Sequence, residues 1–231
     1  MTERAPTLVE RYVLPPDEIE RLSLQRVAAI LAAANQWSES EQQIVRRIVY
    51  AAGDPAIAPL IRIHPGAVAA GLRAFREGRP IVVDVRMVEV ALNHALTARL
   101  GCPIHCAIDA PAVAEEARAR GLPRAVVAMR ALSGEAHQGV VVVGNAPTAL
   151  LSLLDLVDAG VVRPSLIIGT PVGFVAAAES KAELVIRSIP FITVEGTRGG
   201  SAVAAAAANA LLRLAAADDP ALAERRIEEK A

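Results

Sequence analysis

The sequence predicts a single α/β domain with a mostly parallel central sheet flanked by helices, in which strand-to-helix glycine turns form a ligand cleft. Short apolar runs at Ile81–Val83, 104–108, Val140–Val143, 166–168 and Phe191–Val194 are each bounded by Gly, Pro or Asp and separated by helix-like stretches. This is the pattern of buried parallel strands joined by helices. Three of the runs also end alike, at Gly144-Asn145, at Gly169-Thr170 and, through Glu195, at Gly196-Thr197. A chain of 231 residues that is 53% hydrophobic buries one sizeable core and does not require a second domain.

In chain order, the first segment carries mixed charges (Glu3, Arg4, Glu10, Arg11) and leads into a helical region. Ser38 followed by Glu41 forms a capping box, so a helix is expected from there to about Ala52, where Gly53-Asp54-Pro55 stops it. At 100° per residue, Ile44, Val45, Ile48, Val49 and Ala52 share one face, and Gln43, Arg46, Arg47 and Tyr50 lie opposite. Tyr50 is therefore not a core aromatic: it faces solvent or borders a ligand cleft.

The run at 104–108 is flanked by the chain's two cysteines, Cys102 and Cys106. A four-residue offset on a strand puts both on one face, where free cysteine packs as a small hydrophobe. His105 lies between them, but a zinc site normally takes four ligands and no second pair lies nearby, so no metal is expected. After Gly200 an alanine-rich helix follows, and then a charged tail over 218–230.

The glycine turns point to the ligand. In an open parallel sheet such turns gather on one edge, where ligands normally bind. Glycine permits close backbone approach, and helix N-termini favour anions, so three turns side by side suit a ligand with several carboxylates or phosphates. Neither G-x-G-x-x-G nor G-x-x-x-x-G-K-[ST] occurs at these turns, which argues against a nucleotide. Lys+Arg 24 against Asp+Glu 25 leaves almost no net charge and the basic residues are scattered, which argues against nucleic acid. The alanine-rich run 202–208 is too short to cross a bilayer. A soluble, cytoplasmic protein without a membrane partner is the expectation.

Gly144-Asn145-Ala146-Pro147-Thr148-Ala149-Leu150 resembles the most characteristic segment of the precorrin-8X methylmutases. Two further segments follow at matching spacing. One is Pro171-Val172-Gly173-Phe174-Val175 leading to Glu179-Ser180-Lys181, and the other is Gly199-Gly200-Ser201-Ala202 leading to Asn209-Ala210-Leu211. Weaker agreement runs through Gly78-x-Pro80-Ile81, Asp84 with Met87-Val88, and Arg47. The similarity covers roughly residues 20–212, which divides the chain into an extension (1–20), the methylmutase-like domain (21–212) and a charged tail (213–231).

The resemblance implies a homodimeric, cofactor-independent isomerase of cobalamin biosynthesis. It would move a methyl group from carbon 11 to carbon 12 of a corrin precursor, giving hydrogenobyrinic acid or its cobalt counterpart. The precursor's acetate and propionate arms would meet Lys181, Arg198 and the helix N-termini after Gly144, Gly169 and Gly200. The remaining implied contacts are Arg47, Asp84, Met87, Val88, Arg124, Asn145, Thr148, Pro171, Val172, Gly173, Ser180, Gly199 and Ser201.

Three departures stand out. The family's acid is a histidine three residues after an arginine, and here Arg47 is followed by Tyr50. Arg124 is flanked by Pro123 and Ala125 where the family often has hydroxyl residues, and Val90-Ala91 replaces a glycine usual after Met-Val. A phenol has an unperturbed pKa of about 10 against about 6.5 for an imidazolium, a proton harder to give away by about 5 kcal/mol. Only a fraction of that difference reaches a barrier, so a slower reaction is expected. His64, ahead of Pro65, is a possible substitute acid. Two rival readings stay open: a corrinoid-binding or product-carrying protein that has lost the reaction, and a divergent nucleotide-dependent enzyme.

Overall fold

The computed structural model describes residues 7–32 and 36–217. The chain opens with helices α1 (Leu8–Tyr12), α2 (Pro16–Ile30) and α3 (Glu39–Ala52), then a 3-10 turn (Pro55–Leu60), strand β1 (Ile61–Ile63) and α4 (Ala67–Arg76). β2 (Ile81–Val83), α5 (Arg86–Ala91), α6 (His94–Arg99), β3 (Ile104–His105), α7 (Pro111–Arg120), α8 (Arg124–Ala131) and α9 (Ser133–Ala136) follow. The last part runs β4 (Val140–Val143), α10 (Pro147–Asp158), β5 (Leu166–Gly169), α11 (Ala177–Val185), β6 (Phe191–Val194) and α12 (Ser201–Ala217). The charged tail expected over 218–230 lies outside the described residues. Helix α2 runs through residue 20 and α12 through residue 212, so both of the expected domain boundaries fall inside helices.

The strands form one sheet in the order β1-β6-β5-β4-β2-β3, with every neighbouring pair parallel except β1 with β6. Side chains alternate across it, as strand geometry demands. Val140, Val142, Leu166, Ile168, Ile192 and Val194 join the core under α3, α4 and α12, while Val141, Val143, Ile167 and Phe191 join the core under α10 and α11. Both faces are covered, which is why these strands read as unbroken apolar runs.

Helix α3 forms as its sequence predicts. Ser38 Oγ accepts from the Glu41 N–H at 3.4 Å, Glu41 accepts from the Ser38 N–H at 2.8 Å, and Gly53 ends the helix at φ 63°. Ile44, Val45, Ile48 and Val49 are buried against α12, and Tyr50 is exposed. Two differences concern strands. The expected strand 104–108 is cut to Ile104–His105, because β3 is an edge strand paired only with the three-residue β2, and the chain turns at Asp109, whose carboxylate pairs with Arg86. Cys102 is still buried in the α12-side core, and Cys106 packs against that same core. Strand β1 was not expected: Ile61-Arg62-Ile63 is short, lies between a proline-rich turn and His64-Pro65, and lacks a glycine turn.

Candidate functional site

Because β2, β4, β5 and β6 run parallel, Asp84, Gly144, Thr170 and Glu195 leave the sheet on the same edge. The turn after β4 is organised by Asp84, whose carboxylate accepts N–H bonds from Gly144 at 3.0 Å, Asn145 at 2.8 Å and Ala146 at 2.7 Å. Burial pushes the Asp84 carboxyl up from its ordinary value while these three amides pull it down. Gly144 is required by packing: a Cβ there would lie 2.7 Å from Ser201 Cα and 2.8 Å from a methyl of Val88. The absence of a side chain lets the start of α12 sit directly on the β4 turn.

The turns after β5 and β6 are clasped together. Gly200 N–H donates to the Thr170 carbonyl at 2.8 Å and Gly173 N–H to the Thr197 carbonyl at 3.1 Å. At Gly199, φ is 150° and a Cβ would stand 2.2 Å from the Thr170 oxygen. Lys181, only 1% exposed, donates from Nζ to the Arg198 carbonyl at 2.6 Å, and burial pushes its pKa down to about 8. The Arg198 guanidinium pairs with Asp54 at 3.2 Å. Thr170 Oγ1 is buried and has no hydrogen-bond partner among the described residues.

The expected contact residues therefore divide. Asp84, Val88, Gly144, Gly169, Pro171, Ser180 and Lys181 are buried and build the edge from beneath. For Lys181 this corrects the expectation of a cation facing the ligand, since the ammonium is spent on a backbone carbonyl inside the protein. Met87, Asn145, Val172 and Arg198 are exposed, and Thr148, Gly173, Gly199, Gly200 and Ser201 are half-buried.

Tyr50 and Arg47 meet in a hollow of about 560 Å³ between α2, α3, α5 and α12. Its floor is the alanine face of α12 (Ala202, Ala205, Ala206), and its side is formed by Pro16, Ile19 and Glu20. Arg47 forms an ion pair with Glu20. Asn209 fixes the far wall, accepting from the Asn93 N–H at 2.7 Å and donating to the Ala91 carbonyl at 2.8 Å. Arg213 stands at the same hollow, one helical turn beyond Asn209.

Two expectations about this site are corrected. The three glycine turns share an edge, but Gly144, Gly169 and Gly196 are not on the wall of the Tyr50 hollow. Arg124 borders a separate hollow with Arg118 and Gly121, between α7 and α8. His64 is at the other edge: β1 is antiparallel to β6, so the end of β1 meets the beginning of β6, where the His64 N–H donates to the Phe191 carbonyl at 2.9 Å. Its Nδ1 accepts from the Gly66 N–H at 3.0 Å and its ring packs edge-on to Phe191. Sequence reasoning missed Glu20 and Arg213. The signal for Arg213 was available, since Ala202, Ala205, Ala206, Asn209 and Arg213 are spaced as one helix face.

Comparison with known proteins agrees with this fold. Residues 18–214 match the precorrin-8X methylmutase family profile. The chain is 39% identical over 214 residues to the cobalt-precorrin-8 methylmutase of Priestia megaterium, covering 93% of this chain and 92% of that one. It is 40% identical over 205 residues to the precorrin-8X methylmutase of Pseudomonas aeruginosa, covering 87% and 96%. The solved precorrin-8X methylmutase of Thermus thermophilus superposes with a TM-score of 0.79 at 38% identity, over 86% of this chain and 96% of that one. With the profile spanning the whole sheet and the clasped turns, the chain belongs to the precorrin-8X methylmutase family.

Proposed function

We propose that this protein is an isomerase of cobalamin biosynthesis that binds a precorrin-8X-type tetrapyrrole and moves a methyl group from carbon 11 to carbon 12, with Tyr50 as the acid. The observation that carries this reading is the shared wall of Tyr50 and Arg47: the residue at the family's acid position opens into a hollow with an apolar floor and a charged rim. The alanine floor suits the flat ring, and the rim suits its carboxylate arms. The phenol donates to a ring nitrogen and draws electron density from the migrating centre, so its task is to polarise rather than to transfer charge completely. The product is hydrogenobyrinic acid or its cobalt counterpart.

The test is conversion of precorrin-8X by the purified protein, followed by the absorbance change as the corrin chromophore forms. Turnover supports the reading. Tight binding of the corrin product without turnover, in the parent protein and in Tyr50→His, would instead assign a binding or carrier role.

The protein is further proposed to work in the cytoplasm as a homodimer. Among the described residues no helix is long and apolar enough to cross a membrane. The loop after β5 leaves Phe174 at 93% and Val175 at 84% exposure, and apolar side chains so bare are commonly covered by a second subunit. Light scattering at micromolar concentration checks this, and a monomer there would sink it.

A further inference from the structure

Arg213 is not among the residues that the family resemblance assigns to the ligand. It lines the same hollow as Tyr50 and Arg47, on the face of α12 that also carries Ala202, Ala206 and Asn209. Arg47 is paired with Glu20, whereas Arg213 has no ion pair or hydrogen bond among the described residues. Arg213 is exposed at the rim, where partial desolvation by the hollow and the nearby Arg47 both work against its charge and Glu20 only partly offsets them. Among the described residues, two guanidinium groups and one carboxylate leave the rim with an excess of positive charge beside an apolar floor. A cation held near another cation, with its charge only partly offset, is stabilised when an anion comes to lie between them.

We propose that Arg213 is a ligand-recognition residue, which with Arg47 receives a carboxylate arm of the ligand at the rim of the Tyr50 hollow. The identity of the ligand rests on the function proposed above, whereas the anion preference of the rim does not. Guanidinium suits the task because its planar fork meets both oxygens of a carboxylate at once. Asn209, one turn earlier on the helix, is already committed to Ala91 and Asn93, so it fixes the wall and leaves the arm to Arg213.

The experiment compares two corrinoids by absorbance titration: cobyrinic acid, with free carboxylates, and cobinamide, whose arms are amides. Arg213→Gln is expected to weaken cobyrinic acid binding about tenfold and to flatten its salt dependence. The affinity for cobinamide should stay within about twofold, and Arg130→Gln, an exposed arginine elsewhere on α8, should leave both affinities unchanged. Unchanged affinity for cobyrinic acid, or an equal loss for cobinamide, would overturn the assignment. Should the parent protein bind neither corrinoid, the proposed ligand class falls, and citrate then decides the anion site. A citrate-dependent rise in melting temperature that Arg213→Gln removes supports the site, and a rise that persists in the variant, or no rise in the parent, overturns it.

Discussion

Lys181 and Arg198 are joined by a single bond, from the buried ammonium to the Arg198 carbonyl oxygen at 2.6 Å. The lysine is buried, and its ammonium faces that carbonyl inside the protein. It holds the peptide that carries Arg198, and with it the start of α12, in the orientation that the clasped turns require.

Trypsin reads this bond, because it cleaves after arginine. In the parent protein the Arg198–Gly199 peptide is fixed on one side by Lys181 and on the other by the Gly200-to-Thr170 bond. Lys181→Met, which keeps the length of the side chain and removes the donor, is expected to speed cleavage at Arg198 at least tenfold. Fragment mass spectrometry over a time course checks this, and an unchanged rate would show that the clasp holds without the lysine.

The same lysine sets a pH dependence. Its pKa is depressed to about 8, so between that value and the unfolded value of about 10.4 the unfolded chain binds the additional proton. Stability contributed at this site therefore rises as pH increases through that window, by up to about 3 kcal/mol. Urea unfolding at pH 7 and pH 10 should show a gain for the parent relative to Lys181→Met. A difference between the two proteins that does not vary with pH would refute it.

Asp84→Asn should be costly. The carboxylate accepts three amide N–H groups, whereas a carboxamide offers one oxygen and turns an NH₂ towards donors. A loss of about 2–4 kcal/mol is expected, with increased hydrogen exchange at the Gly144, Asn145 and Ala146 amides. Full parental stability would mean that the turn holds its shape unaided.

Tyr50→His should raise the turnover of precorrin-8X, because an imidazolium is the stronger acid, and Tyr50→Phe should remove what the parent shows. His64 lies at the other end of the strands, against Phe191, so His64→Gln should leave turnover within about twofold of the parent. Activity surviving in Tyr50→Phe would move the acid role away from the tyrosine.

Much of this architecture was legible in the sequence, and the reasons are physical. The apolar runs of β4, β5 and β6 are buried on both faces, so they announce themselves without alternation, and the capping box of α3 is a local signal complete within four residues. β1 escaped because its pairing depends on β6, which lies about 130 residues later in the chain. Site residues followed the same division. Periodicity put Tyr50 and Arg47 on the polar face of one helix and the resemblance turned that face towards a ligand, whereas Glu20 needed the packing of α2 on α3. Lys181 was misread because a lysine within a recognised motif looks like a surface charge, and only its burial shows that it serves the backbone.

The Glu20–Arg47 ion pair and the Pro16–Ile19 wall belong to a helix that begins before the family profile does. Of the residues that line the hollow, Pro16 lies outside the stretch that the profile matches. Trimming the chain to residue 21 would keep nearly all of the recognisable sequence, yet it would turn a walled chamber into an open trough and free Arg47 to swing into it. The stretch that composition marks as a lead-in is, in three dimensions, one side of the hollow that Tyr50 lines.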